Sequence, residues 1–294
     1  MTLEIGIFLA LLCAFVANLG FFFKQRGACS VAKVDMRHPI RSACALYSSR
    51  WFAAGMLLAL ISWALHVAAL SIAPISVVQV TLAAGAVFIA VIADRWFGFE
   101  VGQRQRLGLI LTAAGLALLA LTLPASQSQG AHSQFSAATM VSFEAGLFAV
   151  GGLLIVGRHM GGPQQRHGIM LALAAGLLFG VSDVAIKALS GIAAAHGLAS
   201  MLSSAWLLVA LFASVVAFYA SARGLQDGEP VAVIALTGTA ANIAGIGGGI
   251  VVFGDALPGS PVGIAIQGLA FVLVIFAAAL MPMSRRAFGA VAEQ

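Results

Sequence analysis

Charge is scarce in this sequence. Asp, Glu, Lys and Arg make up 9% of its 294 residues, against about 25% in an ordinary soluble domain. Together with 61% hydrophobic residues and a mean hydropathy of +1.04, that scarcity excludes a soluble globular protein. Cysteine is scarce too. Cys13, Cys29 and Cys44 form no C-x-x-C pair, which excludes a disulfide framework and a thiolate metal site; they read as small apolar fillers. Enzyme signatures are missing: there is no His-Glu-x-x-His and no clustered Asp/His set. The glycine-rich "GTAANIAGIGGG" at 238–249 has no Gly-Lys-Ser/Thr after it, so it reads as a packing face and hinge, not a nucleotide loop. The expectation is a protein that is not an enzyme and carries no cofactor.

What is present is apolar length. Nine stretches, 3–23, 50–72, 75–97, 106–124, 140–157, 168–190, 201–222, 230–253 and 261–283, each have about 20 mostly apolar residues, enough to cross a hydrocarbon core of about 30 Å as helices. The fold class predicted is an all-α integral membrane protein of nine transmembrane helices. The first stretch begins Met-Thr-Leu-Glu, with no basic n-region, and is expected to be a span and not a cleavable signal peptide. The charges set its orientation. Lys24, Arg26, Lys33, Arg37, Arg41 and Arg50 crowd the first connector, Arg95, Arg104 and Arg106 the third, and Arg158 and Arg166 the fifth. Arg223 falls at the seventh, and Arg285 and Arg286 follow the last stretch, while 72–75, 124–139, 190–200 and 253–260 carry no Lys or Arg. With nine crossings every basic connector lies on one side, which the positive-inside rule makes cytoplasmic. The N-terminus is then outside and the C-terminus cytoplasmic. Abundant Ala and Gly, with Arg far outnumbering Lys, point to a GC-rich bacterium, so the membrane expected is its cytoplasmic membrane. The basic residues are strung along connectors without an aromatic platform, so the net +5 signals orientation and no nucleic-acid partner.

The chain also repeats itself. A shift of 155 residues pairs Trp51 with Trp206, Leu70 with Leu225, Val78 with Val233, Gly108 with Gly263 and Leu118 with Leu273. "GIFLAL" at 6–11 returns as "GIMLAL" at 168–173. The domains expected are a first four-helix repeat at 1–124, an outer loop with linking helix 5 at 125–160, and a second four-helix repeat at 161–294. One linking helix starts the second repeat on the opposite side, so the repeats are inverted, the architecture of secondary transporters.

"ALSIAPISVVQVTLAAGAVFIAVIADRWFGFEVGQRQRLGLILTAAGLALLAL", 69–121, resembles the last two helices of small multidrug resistance proteins of the drug/metabolite transporter superfamily. Pro74-Ile75-Ser76-Val77, Phe97–Glu100, Gly108 and Gly115 carry the likeness. The helix count, the basic first connector and the "IAP" before helix 3 are similar to the magnesium-transporter-like NIPA branch. The resemblance implies a secondary carrier. Its residues do not all follow: the coupling glutamate of the multidrug proteins, eight before the lysine, corresponds to Val16 or Phe179. Their aromatic pair in helix 3 corresponds to Gln79 and Leu82. The Leu-Gly-Ala-Leu-Ser of the magnesium branch is replaced by Leu82-Ala83-Ala84-Gly85.

The candidate site is built from polar residues at membrane depth. Asp183 and Lys187 lie one turn apart in helix 6, in the order that suits an i,i+4 pair. Either they neutralise one another, Lys187 snorkelling outward, or a substrate amine or proton competes with Lys187 for Asp183. Asn18, Gln79, Thr81, Thr239 and Asn242 fall in the other helices expected to line a central cavity; helix–helix hydrogen bonding is the alternative for each. His66 and Glu144 are read as solvated near the outer surface, and Arg223 and Asp94-Arg95 as interface anchors. The function predicted is secondary active transport of a small organic metabolite or drug-like compound by alternating access. Alternatives are a NIPA-like magnesium transporter and an accessory or flippase subunit. Partners expected are membrane lipids, the small-molecule substrate and a coupling proton or cation; an oligomer is left open.

Overall fold

The computed structural model describes residues 2–35, 37–72, 81–82, 85–99, 101–122, 135–157, 166–254, 258 and 260–280. Among them every regular element is a helix, the form in which a chain in lipid satisfies its own backbone hydrogen bonds. The order is α1 (Thr2–Cys29), α2 (Pro39–Ser48), α3 (Arg50–Ile72), α4 (Val87–Phe97), α5 (Gln103–Thr122), α6 (Ala137–Val156), α7 (His167–His196), α8 (Leu198–Leu202), α9 (Ala205–Asp227), α10 (Pro230–Phe253) and α11 (Pro261–Ala279).

Five helical spans, Glu4–Cys29, Ala137–Val156, His167–Ala193, Ala205–Asp227 and Pro230–Phe253, are long and apolar enough to cross a membrane. The bent pair Pro39–Ser48 and Arg50–His66 supplies a sixth if it is counted as one span. The described residues therefore yield five or six spans where hydropathy predicts nine. Within the stretch 75–97 the described part is a helical pair at 81–82, a turn at 85–86 and the 11-residue α4.

Helix α2 is the element that hydropathy does not reveal. It starts with Pro39 in its first turn, where the fixed φ of proline suits a helix. It turns 93° from the start of α3. Ser42 and Leu46, one turn apart, are buried while Ile40 and Tyr47 are exposed. That two-sided pattern suits a helix lying along a membrane surface.

Close approaches give the sense of the packing. A Cβ on Gly55 of α3 would lie 2.7 Å from the Gly20 carbonyl oxygen of α1, and Cys13 Sγ donates to the Ser62 carbonyl at 3.2 Å, so α1 and α3 run antiparallel. Ser182 of α7 meets Ser214 of α9 at 2.7 Å, and Gly168 meets Gly228, so these two are antiparallel as well. Gly176, Gly180 and Val184 of α7 meet Thr237, Ala244 and Gly248 of α10 in turn. Those two helices are therefore parallel.

The helix ends fall into two groups. The C-terminal ends of α1 and α9 and the N-terminal ends of α5, α7 and α10 share one end, joined by contacts of Lys33, Gln105 and His167 with Asp227 and Glu229. At the other end Phe135 packs on Trp206 and Phe253. The basic connector residues Lys33, Arg223 and, at the start of α5, Arg106 thus lie at one end.

The apolar cores differ between these ends. At the basic end one core mixes both halves of the chain: Phe22, Ile89, Ile92 and Leu109 pack with Ala172, Leu225 and Val231–Leu236. At the other end Met140, Val184, Ala188, Ala210 and Phe253 form a core with no member before residue 135 among the described residues. Ala10 and Ala69 form another with none after residue 82 among the described residues.

Candidate functional site

The polar contacts follow the same division. Asp227, the last residue of α9, is their hub. Its Oδ2 accepts from Arg223 Nε at 2.7 Å and lies 3.0 Å from His167 Nδ1. A carboxylate only accepts, so Nδ1 is the nitrogen that carries hydrogen. Its Oδ1 accepts from Lys33 Nζ at 3.2 Å. Arg223 reaches further and donates from Nη1 to the Val34 carbonyl at 2.8 Å. Gln226 takes the Val34 amide at 2.9 Å and donates to the Ala28 carbonyl at 2.6 Å. Tyr219 donates its hydroxyl to the Pro39 carbonyl at 2.7 Å. The connector after α1 is held by α9 on both its amides and its carbonyls.

Glu229 is a second tie. It caps α10, accepting from the Val231 and Ala232 amides at 3.2 and 3.0 Å. Pro230 follows as the first helical residue. Such a cap contributes about 1 kcal/mol, and its charge suits the positive end of the helix dipole. Gln105 of α5 donates to the same carboxylate at 2.9 Å. Burial pushes the Glu229 carboxyl above its ordinary range, against the Ala232, Val231 and Gln105 hydrogen bonds that favour the charged form.

Every hydrogen bond and ion pair among the described residues that joins 2–122 to 166–280 lies at this basic end.

The residues expected from sequence are placed unevenly. Asp183 is exposed on α7 and shares an open stripe with Ile186, Lys187 and Ser190, while Ser182, Val184, Ala185 and Ala188 are buried. The Lys187 ammonium lies 4.5 Å over the ring of Phe253, a cation–π contact. The lysine thus reaches along α7 towards the C-terminal end of α10. Asn18 donates to the carbonyls of Ala14 and Gly85 at 2.9 and 3.1 Å, a tie between α1 and the turn before α4. Asn242 is exposed and donates to the Gly238 carbonyl at 2.9 Å; Thr239 is buried. Thr81 is half-buried, and Gln79 lies outside the described residues. Asp183 and Asn242 stand on adjacent parallel helices, and the Gly180–Ala244 and Val184–Gly248 contacts place Asn242 about one turn nearer the basic end. No contact joins them.

Two expectations are overturned. Glu144 is 3% exposed, with its Oε1 lacking a hydrogen-bond partner among the described residues, and is not solvated at a surface. The face of α6 that carries Met140, Glu144 and Gly151 is buried in the bundle, which takes this carboxyl inside. Arg223 is no simple interface anchor, since it holds Asp227 and Val34 together. Sequence reading missed Asp227, His167, Gln226 and Gln105 altogether. The Glu229-Pro230 pair was the available signal: an acceptor followed by proline opens a helix.

The chain is similar to a probable magnesium transporter NIPA9 of Arabidopsis thaliana, 23% identical over 280 residues that cover 92% of this chain and 79% of the relative. No family model and no solved structure matches it. With its apolar helices and this relative, the chain is a multi-pass membrane protein.

Proposed function

We propose that this protein is a secondary carrier that moves a small solute across the membrane by alternating access between two inverted four-helix units. One observation carries the reading: the halves share a core and hydrogen bonds at the basic end, whereas at the other end the cores of the described residues each belong to one half and the halves meet through α5 against α11. A carrier closed on one side and parted on the other needs that asymmetry. The inverted nine-helix reading gains support from pairings. The α1–α3 and α7–α9 pairs pack alike, and α5 meets α11, its counterpart in the other unit, through Gly115 against Ala270 and Val274.

Asp183 stands on the open stripe of α7 and is the carboxylate we assign to the solute or its coupling ion; ionisable groups within membrane helices that face a cavity take such roles. The substrate class favoured is a small organic metabolite or drug-like compound. Magnesium is the second reading, favoured by the relative's name. It requires several oxygen ligands, and no group of three or more His, Cys, Asp or Glu that could hold a metal occurs among the described residues.

The test uses purified protein in proteoliposomes, with Cys13, Cys29 and Cys44 replaced by alanine. Cysteines at Val34 and Gln226 joined by a short reducible bridging reagent should stop solute uptake, and reduction should restore it. Full transport with the bridge in place would overturn alternating access at this end. Uptake of magnesium by the unbridged protein, and of no organic solute, would select the second reading.

A further inference from the structure

Between α4 and α5 lies an open cleft of about 340 Å³ whose lining is split by chemistry. Val87 and Val91 of α4 and Ile110 of α5 form its apolar walls, while Asp94, Arg95 and Arg106 form one end. That end is the basic end of the molecule. From Val87 to Arg95 the wall runs about 12 Å along the helix, from membrane depth to the level of headgroups.

The charges there are unbalanced. Two guanidinium groups face one carboxylate, and the Arg106–Asp94 contact is long at 3.9 Å, with both side chains 55% exposed. A pair so exposed is weak and leaves both arginines able to donate elsewhere. The N-terminus of α5 adds to the imbalance. Its first turn contains Arg104 and Arg106 and no acid, although the positive end of a helix dipole disfavours cations. An anion at this position would relieve both. Phosphate oxygens suit the planar, multi-donor guanidinium, and the apolar wall beyond suits a hydrocarbon tail.

We propose that the α4–α5 cleft binds one anionic phospholipid, its headgroup phosphate between Arg95 and Arg106 and an acyl chain along Val87, Val91 and Ile110. This is a lipid site separate from the carrier's solute path, and basic pockets between membrane helices on this side recognise such headgroups.

The experiment titrates phosphatidylglycerol against the full-length protein in detergent micelles and reads the apparent unfolding temperature, since a ligand of the folded state raises it. Phosphatidylglycerol should stabilise the protein at concentrations at least tenfold below phosphatidylcholine. The R95Q/R106Q double variant should lose that preference. Val91→Trp, which fills the wall and leaves both arginines, should weaken the response about tenfold. Glycerophosphoglycerol, the same headgroup without tails, should stabilise only at far higher concentration. Equal response to the two lipids, an unchanged response in either variant, or saturation by the tail-free headgroup would each overturn the proposal.

Discussion

Asp227 gathers Arg223, His167 and Lys33, but these partners are unequal. Arg223 and His167 are mostly buried at 18% and 10% side-chain exposure, whereas Lys33 is 70% exposed. Asp227→Asn keeps the shape and leaves a largely buried guanidinium without its carboxylate, a loss of about 3 kcal/mol. Lys33→Ala removes a solvated partner and should cost about 0–1 kcal/mol. Thermal unfolding of the detergent-purified variants checks this: the first should melt well below the wild type and the second near it. Similar shifts in both would mean that Arg223 draws little from the carboxylate. Glu229 makes a pH prediction. Its carboxyl titrates higher in the folded protein than its ordinary 4.5 because burial outweighs its hydrogen bonds. The folded state therefore holds the proton more tightly, and stability is fully present below about 4.5 and falls as pH rises towards the folded value. Glu229→Gln should remove that fall, so the stability of the variant relative to wild type should improve across this window. A gap that stays constant with pH would show that the cap, not the charge, sets the effect. Little of this was legible beforehand. Membrane depth drew attention to Asp183, while Asp227 and His167 looked like ordinary connector residues because they lie 60 positions apart and Lys33 lies 194 positions from Asp227.

At the scale of helices, the long apolar stretches were readable because a membrane span needs no partner to declare itself. Helix α2 was not: ten residues with Ser42 and Leu46 on one face lack the length and uniform hydrophobicity that identify a span. Close packing was read partly in the wrong helix. The glycine-rich stretch of α10 drew the expectation, and Gly248 does meet Val184, but Gly238 and Gly245 face open space. The close approach depends equally on α7, where a methyl on Gly180 would strike the Ala244 side chain. Gly180→Ala should therefore force the parallel pair apart and cost about 1–3 kcal/mol. Gly238→Ala meets nothing within 4 Å and should be neutral or stabilising by up to about 1 kcal/mol, the difference in helix propensity. Melting temperatures of the two variants in the same detergent decide the matter. Destabilisation by Gly238→Ala would reveal a close neighbour at that face in the membrane.

At the scale of the whole molecule, the grouping of helix ends was the most legible property. Alternating basic and uncharged connectors predicted which helix ends lie together, and the contacts of Asp227 and Glu229 bring those ends together. The asymmetry between the ends was not legible, because it rests on which distant side chains pack together, as Phe22 does with Leu236, and no local pattern encodes that. It leads to a directional prediction. With cysteines at positions 34 and 226 bridged, the basic end stays shut and the Asp183 stripe should be reachable only from the other side. A cysteine at Asp183 should then react with an impermeant maleimide added outside, at a rate the bridge does not diminish. Added to the medium around inside-out vesicles, the same reagent meets the basic end alone. There the bridged protein should not react. In the unbridged protein labelling from both sides is expected, because each molecule visits both states. Labelling from the basic side with the bridge intact would mean that the core around Phe22 and Leu236 does not close the path, and that the asymmetry of the two ends is a fixed feature of the bundle and not one stage of a transport cycle.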